Sequence, residues 1–145
     1  MTTILLIHGP NLNKLGARDP EQYGTLTLKQ IEEHAITHGK TQNIHIECIQ
    51  SNHEGVLIDT IQQTNADAII INPGALTHYS YALHDAIIDR GLPTVEVHLS
   101  NIQAREPWRA QSVIAPACIH TITGKKHLGI MEAIDYLKEH IDHAN

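Results

Sequence analysis

Five short aliphatic runs alternate with helix-length amphipathic segments along this chain, and that alternation decides what it can fold into. The runs cover residues 4–7, 44–49, 68–71, 94–97 and 118–122, flanked by turn formers such as Gly9, Asn43, Asn72 and Pro93. Each is too short for a buried helix and reads as a strand. The first is apolar at every position, as in a strand covered on both faces. After an opening loop, Thr27 and Gln30 set up a capping box, Leu26 and Ile31 a hydrophobic staple, and Gly39 a stop, which predicts a helix over 28–38. Ser51 and Glu54 predict a second capping box before a helix over 55–64. Ser80 opens a third helix over 81–90, closed by Gly91, and residues 128–141 carry apolar side chains at helical spacing.

Strands alternating with helices give a parallel sheet covered on both faces. The chain has 145 residues, enough for one domain with one sizeable core. It shows no repeat and no linker, so residues 1–145 read as a single domain. Five strands in a domain of this size favour the order 2-1-3-4-5, the flavodoxin-like, doubly wound arrangement with helices on both faces. With no Phe and one Trp, the core must be aliphatic.

In such sheets ligands bind beyond the carboxyl ends of the strands, where strand order reverses. The segments following strands 1, 3 and 4 read GPNLNKLGARDPEQYG, NPGALTHYS and HLSNIQAREPWR. They are the polar-rich segments of the chain, and they carry Asn11, Arg18, Tyr23, Asn72, His78, His98, Ser100, Arg105 and Arg109. Net charge is −6 with His neutral, which argues against nucleic acid or an anionic membrane surface as partner. Yet three of the four Arg fall in these loops, which suits a small anionic ligand. Neither GxGxxG nor GxxxxGK[ST] occurs, and His8 and Asn72 stand where a phospho-acceptor domain needs acids. The pairs His34/His38 and His140/His143 lack an HExxH setting and read as solvated helix faces. Cys48 and Cys118 are isolated in apolar runs and read as small core residues. Only four apolar residues are consecutive near the N-terminus, too few for a signal peptide or a span, so a cytoplasmic location is expected.

The first loop is long for a small chain, and loops of that length are usually functional or disordered. A phenol ionises near pH ~10 in water, and a cation at ~4–6 Å lowers a neighbouring acid by ~1–3 units. Tyr23, on a loop with Arg18, is therefore a candidate base, although a loop Tyr is also an ordinary surface aromatic. Gly16 and Gly24 are candidate hinges of a lid at about 16–25, stiffened by Pro20. His98 ends a strand two residues after Glu96 on the same face, so that carboxylate can orient the ring and favour the imidazolium. Asn11 and Asn72 adjoin Pro10 and Pro73 and also suit turns.

Taken together, GPNLNKLG and YG in the first loop, NPGALTH after strand 3, and EVHLSN with AREPWR after strand 4 resemble the type II 3-dehydroquinate dehydratases over nearly the whole chain. The resemblance implies dehydration of 3-dehydroquinate to 3-dehydroshikimate, in the shikimate or quinate pathway, without metal, cofactor or Schiff base. It implies a dodecamer built from four trimers. It assigns Tyr23 as base with Arg18 holding the phenolate, and Arg105 as support. Asn11 would steady the enolate through a water. His98 would be the general acid, oriented by Glu96. The backbone at Leu99 and Ser100 would bind the substrate carboxylate. Asn72, His78 and Arg109 would hold ring hydroxyls, and Asp85 would reach across a subunit contact. Tyr79 and Leu76 depart from the family pattern and are expected to alter the pocket wall. A binding module without chemistry and a purely structural oligomer are the competing readings; turnover separates both from the enzyme.

Overall fold

A computed structural model describes residues 1–144. Its sheet is all parallel, with strands β1 (Thr2–His8), β2 (Ile44–Gln50), β3 (Ala68–Asn72), β4 (Thr94–His98) and β5 (His120–Thr123) in the order β2-β1-β3-β4-β5. The helices are α1 (Pro20–Tyr23), α2 (Leu28–Lys40), α3 (Glu54–Gln63), α4 (Tyr81–Arg90) and α5 (Leu128–Ala144). Period-two alternation splits each central strand between two cores. Ile4, Leu6, Ile70, Val95 and Val97 pack with Ile31 and Ala35 of α2 and with Ile130, Ala133 and Ile134 of α5. Leu5, Ile7, Ile69 and Ile71 pack with Leu57 and Ile61 of α3 and with Leu83 and Ile87 of α4. Among the described residues no helix is long and apolar enough to cross a membrane.

Local signals explain most element boundaries. Thr27 and Gln30 form the reciprocal capping box of α2, with bonds of 3.2 and 2.9 Å. The Ser80 hydroxyl accepts from the Leu83 amide to cap α4, and Gly91 ends that helix at φ 73°.

Three expectations are corrected, and the opening loop gains detail. Gly39 does not stop α2, which runs on to Lys40; the left-handed turn falls at Asn43, φ 58°. Gly39 is there for space: a Cβ would lie 2.9 Å from both the Ile44 carbonyl oxygen and Ile46 Cγ1, so glycine lets α2 lie close on β2. Ser51 and Glu54 form no capping box. The Ser51 hydroxyl closes a tight turn by accepting from the His53 amide at 3.0 Å, and Glu54 accepts instead from the Ser80 hydroxyl, tying α3 to the cap of α4. The fifth strand begins at His120, because Pro116 sits in a 3₁₀ turn over Ala115–Ala117 and Cys118 falls in the turn's exit. The opening loop is not structureless: it holds a 3₁₀ turn, Leu12–Lys14, and α1, with Pro20 at the first helical position.

His8, at the end of β1, is 1% exposed, and its Nε2 has no hydrogen-bond partner among the described residues. Burial pushes its imidazole down from 6.5 to about 4. The Glu32 carboxylate, 3.9 Å away, therefore faces a neutral ring at pH 7, not an ion-pair partner.

Two outcomes follow from these placements. Gly39→Ala should lower the melting temperature: overpacking costs about 1–3 kcal/mol, against a helix-propensity gain of at most about 1 kcal/mol in a last turn. A variant as stable as wild type would show that the α2–β2 contact relaxes freely. For His8, the folded value lies below the unfolded one, so its contribution is fully present above pH 6.5 and is lost as pH falls toward 4. The loss amounts to about 3 kcal/mol at most. Urea unfolding of wild type and His8→Asn at pH 7 and pH 4.5 checks this, the variant losing less stability between the two.

Candidate active site

The carboxyl ends of β1, β3 and β4 converge because β1 pairs with β3, placing His8 opposite Asn72, and β3 pairs with β4. The Gly9 amide donates to the Asn72 carbonyl at 2.8 Å, which binds the first loop to the third. One cleft opens there. Its walls include Asn11, Arg18, Tyr23, Asn72, His78, His98, Leu99, Ser100, Arg105 and Arg109. The three loops that sequence singled out are thus spatial neighbours. Roomier grooves exist; the one of about 640 Å³ beside α2 and Met131 of α5 is lined by solvated helix-face residues such as Gln30, Glu33 and Thr37.

Tyr23 is delivered by α1 and is 8% exposed. Its phenol oxygen accepts from Arg105 Nη1 at 2.7 Å and from Arg18 Nη2 at 3.1 Å. The Arg18 guanidinium carbon also lies 4.2 Å from the ring centroid. Two cationic donors aimed at one oxygen favour negative charge on it. Arg105 also donates to the Ser100 hydroxyl at 3.3 Å, linking the phenol to the β4 loop. Gly16 and Gly24, the expected hinges, sit at φ 96° and 86°, backbone angles that few side chains tolerate.

His98 is 5% exposed and Glu96 fully buried. His98 Nε2 and Glu96 Oε2 form a short hydrogen bond. Thr77 and Ser112 also contact Glu96, at 2.5 and 2.8 Å to Oε2. Burial alone would raise the Glu96 carboxyl, but the His98 hydrogen bond and charge, helped by both hydroxyls, hold it below its usual value. Sequence reading found Glu96 and missed Thr77 and Ser112; the signal was a hydroxyl in NPGALTH and one past AREPWR, neither meaningful without the fold.

The turn after β4 is fixed by its carbonyls. The Gly124 amide is shared between those of His98 and Ser100, at 3.2 and 3.0 Å, and the Lys126 amide donates to that of Leu99 at 3.0 Å. Asn72 Oδ1 accepts from the Gly74 amide at 3.1 Å, so it shapes its turn while its amide group remains available. Asn11 sits at φ 70°, its amide donating to Asn52 Oδ1. His78 Nδ1 bonds the Gln111 carbonyl at 2.8 Å, and its ring meets Trp108 edge-on. Arg109 pairs with exposed Glu106 at 2.9 Å and lies over Trp108.

Asp85 is not brought to this cleft; it is exposed on α4. Neither of the two departures lines the cleft. Leu76 is buried in the α3–α4 core, and Tyr79 is 63% exposed outside the cleft.

A doubly wound domain whose switch-point cleft brings a phenol held by two guanidinium groups together with an imidazole–carboxylate couple has the donors and acceptors that proton transfer on a small anion requires. The chain belongs to the class II dehydroquinase family, whose model matches residues 2–138. It is 49% identical over 97% of its length to a 3-dehydroquinate dehydratase of Ruegeria pomeroyi, covering 96% of that protein. It is 44% identical over 95% of its length to a catabolic 3-dehydroquinase of Verticillium alfalfae, covering 93%. The crystal structure of a type II dehydroquinase from Butyrivibrio crossotus superposes with a TM-score of 0.92 at 44% identity, over 94% of this chain and 97% of that one.

Proposed function

We propose that this chain is a type II 3-dehydroquinate dehydratase, eliminating water from 3-dehydroquinate to give 3-dehydroshikimate in the shikimate or quinate pathway. The observation that carries the chemistry is the Tyr23 phenol oxygen held between Arg18 and Arg105 on one wall of a cleft that also holds the His98–Glu96 couple. As a phenolate, Tyr23 takes a proton from the carbon beside the ketone, leaving an enolate. Asn11, with a water, steadies the enolate oxygen. The imidazolium of His98 then protonates the departing hydroxyl, which leaves as water as the enolate collapses to the conjugated enone. The backbone at Leu99 and Ser100 receives the substrate carboxylate, and Asn72, His78 and Arg109 hold the ring hydroxyls.

The cleft is nearly closed as it stands, with about 40 Å³ of free cavity, room for a few waters and not for a ring acid. That supports a lid over about 16–25 that opens for substrate and closes to exclude water. The wider reading is a single catalytic domain, located in the cytoplasm and assembled as a dodecamer of four trimers, with Asp85 on the trimer contact reaching a neighbour's substrate. Its exposure on α4, away from its own cleft, supports that placement.

Product formation is followed by ultraviolet absorbance, because the enone conjugates the ketone; no absorbance change with 3-dehydroquinate would remove the proposal. Tyr23→Phe keeps the ring contacts and loses only the base, so kcat should fall by about 10²-fold or more. Light scattering should return the same assembly, near twelve subunits, for both proteins. Retention of a tenth of wild-type kcat would reject Tyr23 as base.

An imine route needs a desolvated Lys in reach of the ketone. No described Lys lines the cleft: Lys14 and Lys126 are exposed, and Lys125 pairs with Glu132 at 2.6 Å. Borohydride added during turnover should leave both protein mass and activity unchanged. A covalent adduct on any Lys, with inactivation, would overturn the phenolate mechanism.

A further inference from the structure

Glu96 has no exposed surface, yet its carboxylate is embedded where a neutral acid would be the cheaper form. The hydrogens around it can be assigned one by one. A hydroxyl has one proton and two acceptor positions. Ser112 Oγ already accepts from the Ile114 amide at 3.1 Å and the Ala115 amide at 3.0 Å. Both acceptor positions are filled, so Ser112 can only donate. Its proton reaches Glu96 Oε2 at 2.8 Å or Thr77 Oγ1 at 2.7 Å. In either case Thr77 has no acceptor left in Ser112 and must donate to Glu96 Oε2, 2.5 Å away. Ser112 also lies 3.1 Å from Glu96 Oε1, so both hydroxyls aim their protons toward this carboxyl or each other, and donors of this kind favour its ionised form. The carboxylate is then an acceptor only, and the remaining close neighbour, His98 Nε2, must supply a proton to it.

We propose that Ser112 and Thr77 are positioning residues which hold Glu96 as a carboxylate and thereby fix the proton of neutral His98 on Nε2, leaving Nδ1 as the nitrogen that carries and releases the transferred proton. The consequence for turnover is directional. The imidazolium gives up its Nδ1 proton to the leaving hydroxyl, forming water, while the Nε2–H bond to Glu96 persists throughout. The substrate proton taken by Tyr23 returns through solvent to Nδ1, which restores both groups. The backbone amides of Ile114 and Ala115 thus set the tautomer of a ring three contacts away, through one hydroxyl and one carboxylate. The other titratable or charged groups that line the cleft with His98 are Arg18, Tyr23, His78, Arg105 and Arg109.

The inference rests on the reading of His98 as proton donor, and its test is chosen so that the two fail separately. In whole protein carrying ¹⁵N-labelled histidine, the His98 signals are assigned by their loss in His98→Gln. Neutral His98 should be protonated on Nε2; finding the proton on Nδ1 overturns the inference, with or without turnover. No turnover in wild type with the Nε2–H tautomer intact would instead sink the dehydratase reading alone. Thr77→Val removes the hydroxyl at constant shape and should lower kcat at least tenfold with KM within twofold, and Thr77→Ser should restore kcat to within threefold. Ser112→Ala should shift the acid limb of the kcat–pH profile to higher pH, because each lost donor lets Glu96 take a proton more readily. Wild-type kcat and an unmoved profile in both Thr77→Val and Ser112→Ala would also overturn it. If Thr77→Val does not fold, Ser112→Ala and the wild-type tautomer decide.

Discussion

The pairing of β1 with β3 is the constraint on which the rest of this molecule depends. Strands adjacent in sequence do not have to be adjacent in the sheet, and here β2 is sent to the far side of β1. That reversal opens a crevice at the carboxyl edge, between loops that leave in opposite directions. The register His8 against Asn72 and the bond from the Gly9 amide to the Asn72 carbonyl then lock the two loops at their roots. Gly9 is essential to that closeness: a Cβ there would lie 2.5 Å from the Pro73 carbonyl oxygen. A rigid edge of this kind lets otherwise irregular chain hold side chains in fixed relation.

Charge is distributed against the trend of the whole. The chain is acidic by six charges, yet the cleft gathers Arg18, Arg105 and Arg109. Two of them are committed to the Tyr23 oxygen, and the third is shared with Glu106. The buried carboxylate of the site, Glu96, is shielded behind His98 and surrounded by donors. In the proposed mechanism, anionic substrate and phenolate would therefore meet positive charge at the cleft surface, while the negative charge that would orient the acid sits out of contact, in the core.

Much of this was legible in the sequence because it rests on local signals. Apolar runs of strand length, the capping box at Thr27 and the Ser80 and Gly91 caps act within four residues, and alternation of elements then leaves few topologies. The convergence of three polar loops followed from topology plus composition. What was not legible depends on contacts distant in sequence. Gly39 looks like a stop signal until Ile44 and Ile46 are known to lie against it. Ser51 and Glu54 have the spacing of a capping box, but Ser80 takes the carboxylate. Cys118 continues an apolar run, yet Pro116 turns the chain just before it. Ser112 and Thr77 are 16 and 19 residues from Glu96, and nothing local marks a hydroxyl as a donor to a buried carboxylate.

The division of cations around Tyr23 bears on how the proposed lid would operate. Arg18 and Tyr23 are five residues apart and joined by a hydrogen bond, with α1, stiffened by Pro20, between them. They would move as one piece about Gly16 and Gly24. Arg105 belongs to the loop after β4 and is anchored to Ser100, so it would stay with the sheet. In an open state the phenol would keep one guanidinium and gain water; on closure it would acquire the second and lose water. Loss of water by itself disfavours the anion, and the second cation offsets that cost, its attraction being stronger where solvent is excluded. The base would thus be fully supported only when the lid is shut over substrate, which couples proton abstraction to closure through the placement of one arginine on each side of the hinge.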